Sequence, residues 1–338
     1  MAPCLKRLFS VVTIMFILCS CANGGYTIKG DVAGLDEGDI NLLDIYGHII
    51  STAKVEDGRF VFKGKVDVPC LTYINNALGV TYPVDIPVLL ENKTIYVTGD
   101  ARIGHIDITG TKANDNMVRF KAAKDNLPPG DNDGYLRLVR ETFEENSGNI
   151  LGAMLISNLY SFVSDEELLE CCDRLPEELR ADPMASHYRK VAQARVETKP
   201  GSMFKDFEMR GADSLAVKLG DVVRSNEATV LLFWASWARD AATVIPEITD
   251  GCAGYRSKGL GMYNVSLDSD MDMFSKREKD FGLFGPSFAN GPDKGDKALS
   301  SYGFEGLPRV VLIDKAGKIL ARGRSFADLE DSLSTLFD

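Results

Sequence analysis

Residues 233–246 read FWASWARDAATVIP and overlap the apolar run ATVLLFWA of residues 228–235. An unbroken apolar run of that length reads as a strand buried on both faces. A turn of small and polar residues follows, and then helical spacing from about residue 240 to 256. This strand–turn–helix unit repeats along the rest of the chain. MYNVSL is a strand, residues 271–281 are a helix, and a short helix is expected near Lys297. RVVLID and KILAR are strands on either side of Lys315-Ala316-Gly317, and residues 327–337 form a closing helix. Upstream, FKDFEM reads as a strand and LAVKLGDVV as a helix. Buried strands alternating with helices predict an α/β sheet covered on both faces.

The front of the chain has a different period. TIKGDV, INLLDI, STAKV, RFVFKGKV, LTYINN, VDIPVLL, TIYVTG and HIDITG alternate apolar and polar residues and read as eight short strands. Asp57-Gly58 has the composition of a two-residue hairpin turn, and Asn92-Lys93 reads as another tight turn. Eight such strands predict a small antiparallel sandwich or barrel. After Gly110 the spacing becomes helical, with a break at Leu127-Pro128-Pro129-Gly130. Ser164 and Glu167 stand where a capping box places its two residues. The expected organisation is a leader at 1–20, a β domain at 21–112, a helical connector at 113–198 and an α/β domain at 199–338.

The 338 residues are 45% apolar and 26% charged, the composition of a globular protein with a full core. The formal net charge is −11, and the only local basic cluster is at the N-terminus, which speaks against nucleic acid as a partner. Lys6 and Arg7 precede an apolar run over residues 8–19, too short to cross a bilayer and suited to a secretory leader. Leu18-Cys19-Ser20-Cys21 resembles a bacterial lipobox, which implies cleavage before Cys21 and its acylation. The acyl chains would anchor the protein without spanning the membrane, placing it in a bacterial cell envelope, facing the periplasm. Loss of Lys6 and Arg7 takes the formal charge from −11 to −13. Of seven cysteines, Cys70, Cys171, Cys172 and Cys252 remain beyond Cys21. They are scattered, and no Cys/His cluster or phosphate loop suggests a metal or cofactor.

The stretch VLLFWASWARDAATVIP resembles the strand-to-helix turn of a thioredoxin-like domain, whose motif is FWAxWCxxC with a proline in the helix. Ala238 and Ala241 fall on the two cysteine positions and Pro246 on the helix proline. Gly306-Leu307-Pro308-Arg309 followed by VVLIDKAGKILARG resembles the family's cis-proline loop and closing strands. The resemblance is to the membrane-anchored periplasmic thiol-disulfide oxidoreductases and the related AhpC/TSA family, from about Pro200 to Asp338. The front region resembles a β domain of unknown function that precedes such domains in envelope lipoproteins.

Thiol-disulfide exchange needs an attacking thiolate and a second thiol to resolve the mixed disulfide. Ala238 and Ala241 supply neither, and Leu232 stands where many thioredoxins carry a buried acid. The peroxidase type of nucleophile is also absent from this stretch. Cys252 lies fourteen residues after Ala238 in one helix, about 21 Å away along its axis. His48, His105 and His187 lie outside the domain, which argues against histidine-assisted chemistry there. Asp240 is placed to cap the helix. What the resemblance implies beyond the thiols is a groove for extended polypeptide, expected around Trp237, Arg239, Asp240, Leu307 and Pro308. The expectation is a redox-inactive binding or scaffold module for a polypeptide or envelope-protein partner. The alternatives are an oxidoreductase using other cysteines, and a role carried by the β and helical parts alone.

Overall fold

The computed structural model describes residues 24–76, 81–210, 215–289 and 291–337. The leader and Cys21 lie outside them. Among the described residues no helix is long and apolar enough to cross a membrane. The chain divides into two compact units, residues 1–122 and 123–338.

The first unit contains all eight expected strands: β1 (Tyr26–Ala33), β2 (Gly38–Leu43), β3 (Ile49–Val55), β4 (Arg59–Gly64), β5 (Cys70–Asn76), β6 (Asp85–Leu90), β7 (Thr94–Asp100) and β8 (His105–Thr109). They form two four-stranded sheets, ordered β4-β1-β7-β8 and β3-β2-β5-β6. Ile28, Phe62, Ile95 and Val97 of the first sheet share one core with Ile40, Leu42, Ile74 and Val88 of the second. The outcome is a sandwich and no closed barrel. It is not wholly antiparallel, because β1 and β7 run parallel, with Ile28 opposite Ile95 and Gly30 opposite Val97. Alternation shows which face a residue takes and is blind to strand direction.

Asp57 and Gly58 both have positive φ, 50° and 74°, as a type I′ turn requires. Glu56 and Arg59 exchange both backbone hydrogen bonds across it, at 3.0 and 2.9 Å. Beyond that bridge the strands part, β3 joining one sheet and β4 the other. Asn92-Lys93 likewise carries the chain from β6 in one sheet to β7 in the other, and is a corner with no hairpin pairing. Helix α1 (Lys112–Asp125) follows, and its buried Asn114 exchanges hydrogen bonds with both backbone groups of Leu89. One side chain thereby satisfies part of the open edge of β6.

The second unit begins with the helices α2 (Asn132–Asn146), α3 (Ile150–Leu159), α4 (Asp165–Asp173), α5 (Glu177–Arg180) and α6 (Pro183–Glu197). Asp131, Asn149, Ser164 and Asp182 cap α2, α3, α4 and α6 through their side-chain oxygens. The capping box on α4 is half formed: Ser164 accepts from the Glu167 N–H, while the Glu167 carboxylate pairs with Arg140 at 2.7 Å.

The α/β part runs β9 (Glu208–Arg210), β10 (Ala216–Lys218), α7 (Leu219–Ser225), β11 (Ala228–Trp234), α8 (Ala241–Ala253), β12 (Leu260–Ser266), α9 (Met271–Asp280), β13 (Ser287–Ala289), α10 (Gly291–Ser301), β14 (Arg309–Asp314), β15 (Ile319–Gly323) and α11 (Ala327–Phe337). The strand expected over FKDFEM begins only at Glu208, and the helix expected over LAVKLGDVV begins at Leu219, after a strand that pairs with β9. Five strands order as β13-β12-β11-β14-β15, with β11 central and buried at every residue. Val230, Leu232 and Trp234 face α8 and α11, while Leu231 and Phe233 face Tyr263, Tyr302 and Leu219. Two covered faces explain the continuous apolar run.

Candidate functional site

The site lies where β11 ends and α8 begins. The Ala238 N–H donates to the Ala235 carbonyl at 3.2 Å and the Ala241 N–H to the Ala238 carbonyl at 3.0 Å, so the turn is wound into the helix start. Ala241 is 1% exposed, whereas Ala238 is half-buried. β14 runs antiparallel to β11 with Arg309 opposite Phe233. That register brings Pro308 to the end of β11, beside the turn, and the Leu307–Pro308 peptide is cis. Sequence reasoning places these parts together, and the fold does so.

The side chains of the turn divide as expected for core and rim. Trp234 is fully buried against Phe274 and Phe281, while Trp237 is 67% exposed. Leu232 is buried among apolar neighbours, so no proton acceptor stands in its place. Arg239 and Asp240 are exposed. Asp240 occupies the cap position of α8, but its side chain accepts no hydrogen bond from the first turn. Its carboxylate instead faces Arg324 at 3.8 Å, so the expected cap is corrected to a loose ion pair.

Two features are not legible in the sequence alone. The first is Asp268, 2% exposed, just beyond β12. It accepts the Ser236 N–H at 2.9 Å, the Ser236 hydroxyl at 2.6 Å and the Ser266 hydroxyl at 2.7 Å. The turn is thereby tied to the neighbouring strand. An acid two residues past a buried strand, at the carboxyl edge of the sheet, was the available signal.

The second is Glu305, in the loop before the cis-proline. His187 of α6 reaches its carboxylate at 3.2 Å, the Tyr160 hydroxyl donates to it, and Arg195 stands 3.4 Å away. Arg195 also donates to the Gly303 carbonyl at 2.9 Å. His187 lies outside the α/β region in sequence, as expected, yet the helical segment brings it to the cis-proline loop. Burial pushes the Glu305 carboxyl up, but the hydrogen bonds from Tyr160 and His187 and the Arg195 charge outweigh it and hold it below the ordinary range. Burial and the bond to Glu305 push Tyr160 up to about 12.

A carboxyl with a depressed pKa stabilises the fold above its ordinary pKa of about 4.3, and that contribution is lost as pH falls through the lower folded value. Denaturant titrations of the natural protein should therefore lose stability below about pH 4, and Glu305→Gln should flatten part of that loss. Identical pH slopes in the two proteins would show that the contact contributes nothing.

The thiols of the second unit are buried. Burial pushes Cys252 up to about 12 and Cys172 up to about 11, and it raises Cys171 as well. Cys252, near the far end of α8, is fully buried in the core.

An alanine-bearing turn beside a cis-proline, on this five-stranded sheet, defines a thioredoxin-like domain. Residues 200–322 match the AhpC/TSA family and residues 26–117 match a domain of unknown function, DUF4369. The chain thus carries a thioredoxin-like region that matches the AhpC/TSA family, behind a region that matches DUF4369. Among curated proteins it is similar to the thiol-disulfide oxidoreductase ResA of Bacillus thuringiensis (strain Al Hakam), 27% identical over 121 residues, 36% of this chain and 66% of the relative. ResA of Geobacillus thermodenitrificans (strain NG80-2) is 27% identical over 119 residues, 35% of this chain and again 66% of the relative. The chain thus spans just under two thirds of the length of these relatives. Among solved structures, a putative thiol:disulfide interchange protein DsbE from Chlorobium tepidum is 26% identical, with a TM-score of 0.34 over 41% of this chain and 94% of that one. The thioredoxin domain of a Bacteroides vulgatus thiol-disulfide oxidoreductase is 21% identical, with a TM-score of 0.37 over 41% of this chain and 98% of that one.

Proposed function

We propose that this protein is a redox-inactive member of its kind, a polypeptide-binding module held in the cell envelope by an acylated Cys21. One observation carries the reading. The frame that presents a substrate backbone is complete, with the cis-proline at Pro308 beside the start of α8, while both thiol positions hold methyl groups. In this frame the segment before the cis-proline offers backbone groups to an extended chain, as strand addition does. The exposed Trp237 would supply an apolar rim, and Leu307, next to the cis-proline, is half-buried. Nothing in this arrangement needs a thiol, since binding and exchange are separate tasks of the same groove. The basic, then apolar leader ending at Cys21 supports the anchor.

The test uses the natural protein. The form starting at residue 22 should leave insulin disulfides unreduced beyond the background of added dithiothreitol, and native Cys171, Cys172 and Cys252 should alkylate slowly. Rapid labelling of one of them together with reductase activity would move the chemistry to that cysteine and defeat the binding reading. In cells, Cys21→Ser should move the protein from the membrane to the soluble fraction; unchanged sedimentation would dismiss the anchor.

A further inference from the structure

The cis-proline is followed directly by Arg309, and this side chain has an unusual set of neighbours. β14 and β15 pair Val310 with Gly323, so the register sets Arg309 across from Arg324. Its guanidinium packs over Phe304, 5.6 Å from the ring centre, and donates from Nη2 to the Glu305 carbonyl at 2.7 Å. That is one acceptor for a group with five N–H donors. Its Nε is buried and has no acceptor. Among the described residues no carboxylate lies within ion-pair distance of it.

The surroundings make this deficit larger. Arg195 is spent on Gly303, Tyr160 and Glu305, and Arg322 on Thr198 and the Tyr302 carbonyl. Asp328, the acid nearest in sequence to Arg324, is occupied by the Arg324 and Ser325 backbone N–H groups and the Ser325 hydroxyl. Asp240 is held only loosely by Arg324, at 3.8 Å. Burial, and then the charges of Arg324 and Arg195, push the Arg309 guanidinium down from its ordinary value. Asp165 also faces Arg195, at 3.6 Å, and Asp328 acts on Arg309 only at longer range, so this part-buried guanidinium has no carboxylate in hydrogen-bond contact among the described residues. A planar guanidinium with unused donors matches the two oxygens of a carboxylate.

We propose that Arg309, assisted by Arg324, is the receptor for a carboxylate carried by the polypeptide in the groove, so that this module selects acidic segments. The proposal rests on the groove reading above. Arg309 begins the strand that follows the cis-proline, so a peptide paired with the backbone at Leu307 has its next side chain or its terminus near the guanidinium. A carboxylate there gains charge-assisted hydrogen bonds in a site whose arginines are already partly desolvated.

The experiment measures fluorescence anisotropy of dye-labelled degenerate nonapeptide pools against the full chain without its leader. One pool has a central Glu and an amidated C-terminus, the second a central Gln and the same amide, and the third a central Gln and a free terminal carboxylate. The Glu pool is expected to bind about tenfold more tightly than the amidated Gln pool. Arg309→Gln should erase the ratio between the Glu and amidated Gln pools, and Arg309→Lys, which keeps the charge and loses the fork, should retain part of it; an unchanged ratio in Arg309→Gln overturns the proposal. Tight binding of the third pool instead would identify the terminus as the source of the carboxylate. Equal binding of all three pools to the natural protein overturns this proposal and leaves the groove standing. Binding of none removes the groove reading, and this proposal with it.

Discussion

Ala238→Cys combined with Ala241→Cys is expected to give the protein a disulfide-reductase activity that the natural chain lacks. Position 238 is half-buried and lies just before the first turn of a thirteen-residue helix. A thiol there meets the positive end of the helix dipole, which favours the thiolate. If that lowers the pKa from about 8.5 to about 7, the thiolate fraction at pH 7 rises more than tenfold over a free cysteine. Position 241 is three residues on, in the first helical turn, and supplies the resolving thiol. The thiolate at position 238 attacks a substrate disulfide, and one substrate sulfur leaves as a thiolate. The thiol at position 241 then displaces the other substrate sulfur, and the two introduced sulfurs are left joined in a disulfide. Ala241 is 1% exposed, so its added sulfur must be absorbed by the packing under α8, at a cost of about 1 kcal/mol. Leu232 remains, so activity without a buried acid should fall short of a full member of the family. The readout is insulin reduction with dithiothreitol as reductant, comparing the double variant with the natural protein. A double variant no faster than background would mean that the groove no longer presents a disulfide to the turn. The single variant Ala238→Cys has no resolving thiol, so with a disulfide-bearing substrate such as insulin it should stop at the mixed disulfide, one substrate sulfur leaving as a thiolate.

Several features of this architecture follow from short-range pattern, and the rest depend on distance in the chain. The eight strands of the first unit and the buried β11 are visible because alternation and continuous apolarity are local consequences of one or two covered faces. Asp57-Gly58 is visible because positive φ at two successive residues restricts composition. The degenerate turn and Pro308 are visible because each sits in a short motif. By contrast, Glu305 meets His187 across 118 residues and Tyr160 across 145, and no local spacing encodes such a meeting. The parallel pairing of β1 with β7 is hidden for the same reason. The Asp240 side chain illustrates a different limit. Its position at the helix start is legible, but its direction is decided by Arg324, which arrives from the end of β15, far along the chain. The short β13 lacks a period to detect, since three residues do not establish one.

Asp268→Ala should cost the second unit about 3 kcal/mol and loosen the turn around Trp237, a larger effect than any single surface change near the groove. The carboxylate is 2% exposed and accepts from neutral donors: the backbone and hydroxyl of Ser236 and the hydroxyl of Ser266. The Ser266 hydroxyl oxygen in turn accepts the Asp268 N–H at 3.0 Å, which closes the ring of bonds. Removing the carboxylate leaves the Ser236 N–H and two hydroxyls without their acceptor in a half-buried to buried setting, where water compensates poorly. Asp268→Asn keeps the shape but turns a donor toward donors, so it should fall between the natural protein and alanine. Differential scanning calorimetry follows the transition of the second unit, and Trp237 fluorescence anisotropy follows the turn. An alanine variant within about 0.5 kcal/mol of the natural protein, with unchanged anisotropy, would show that the turn is held by its backbone hydrogen bonds alone. The same substitution added to the Ala238→Cys, Ala241→Cys double variant separates stability from positioning. If Asp268 fixes the turn, reductase activity should fall at a temperature where that variant is still fully folded. This network touches neither thiol position, and it accounts physically for a turn that keeps its shape with alanines at 238 and 241.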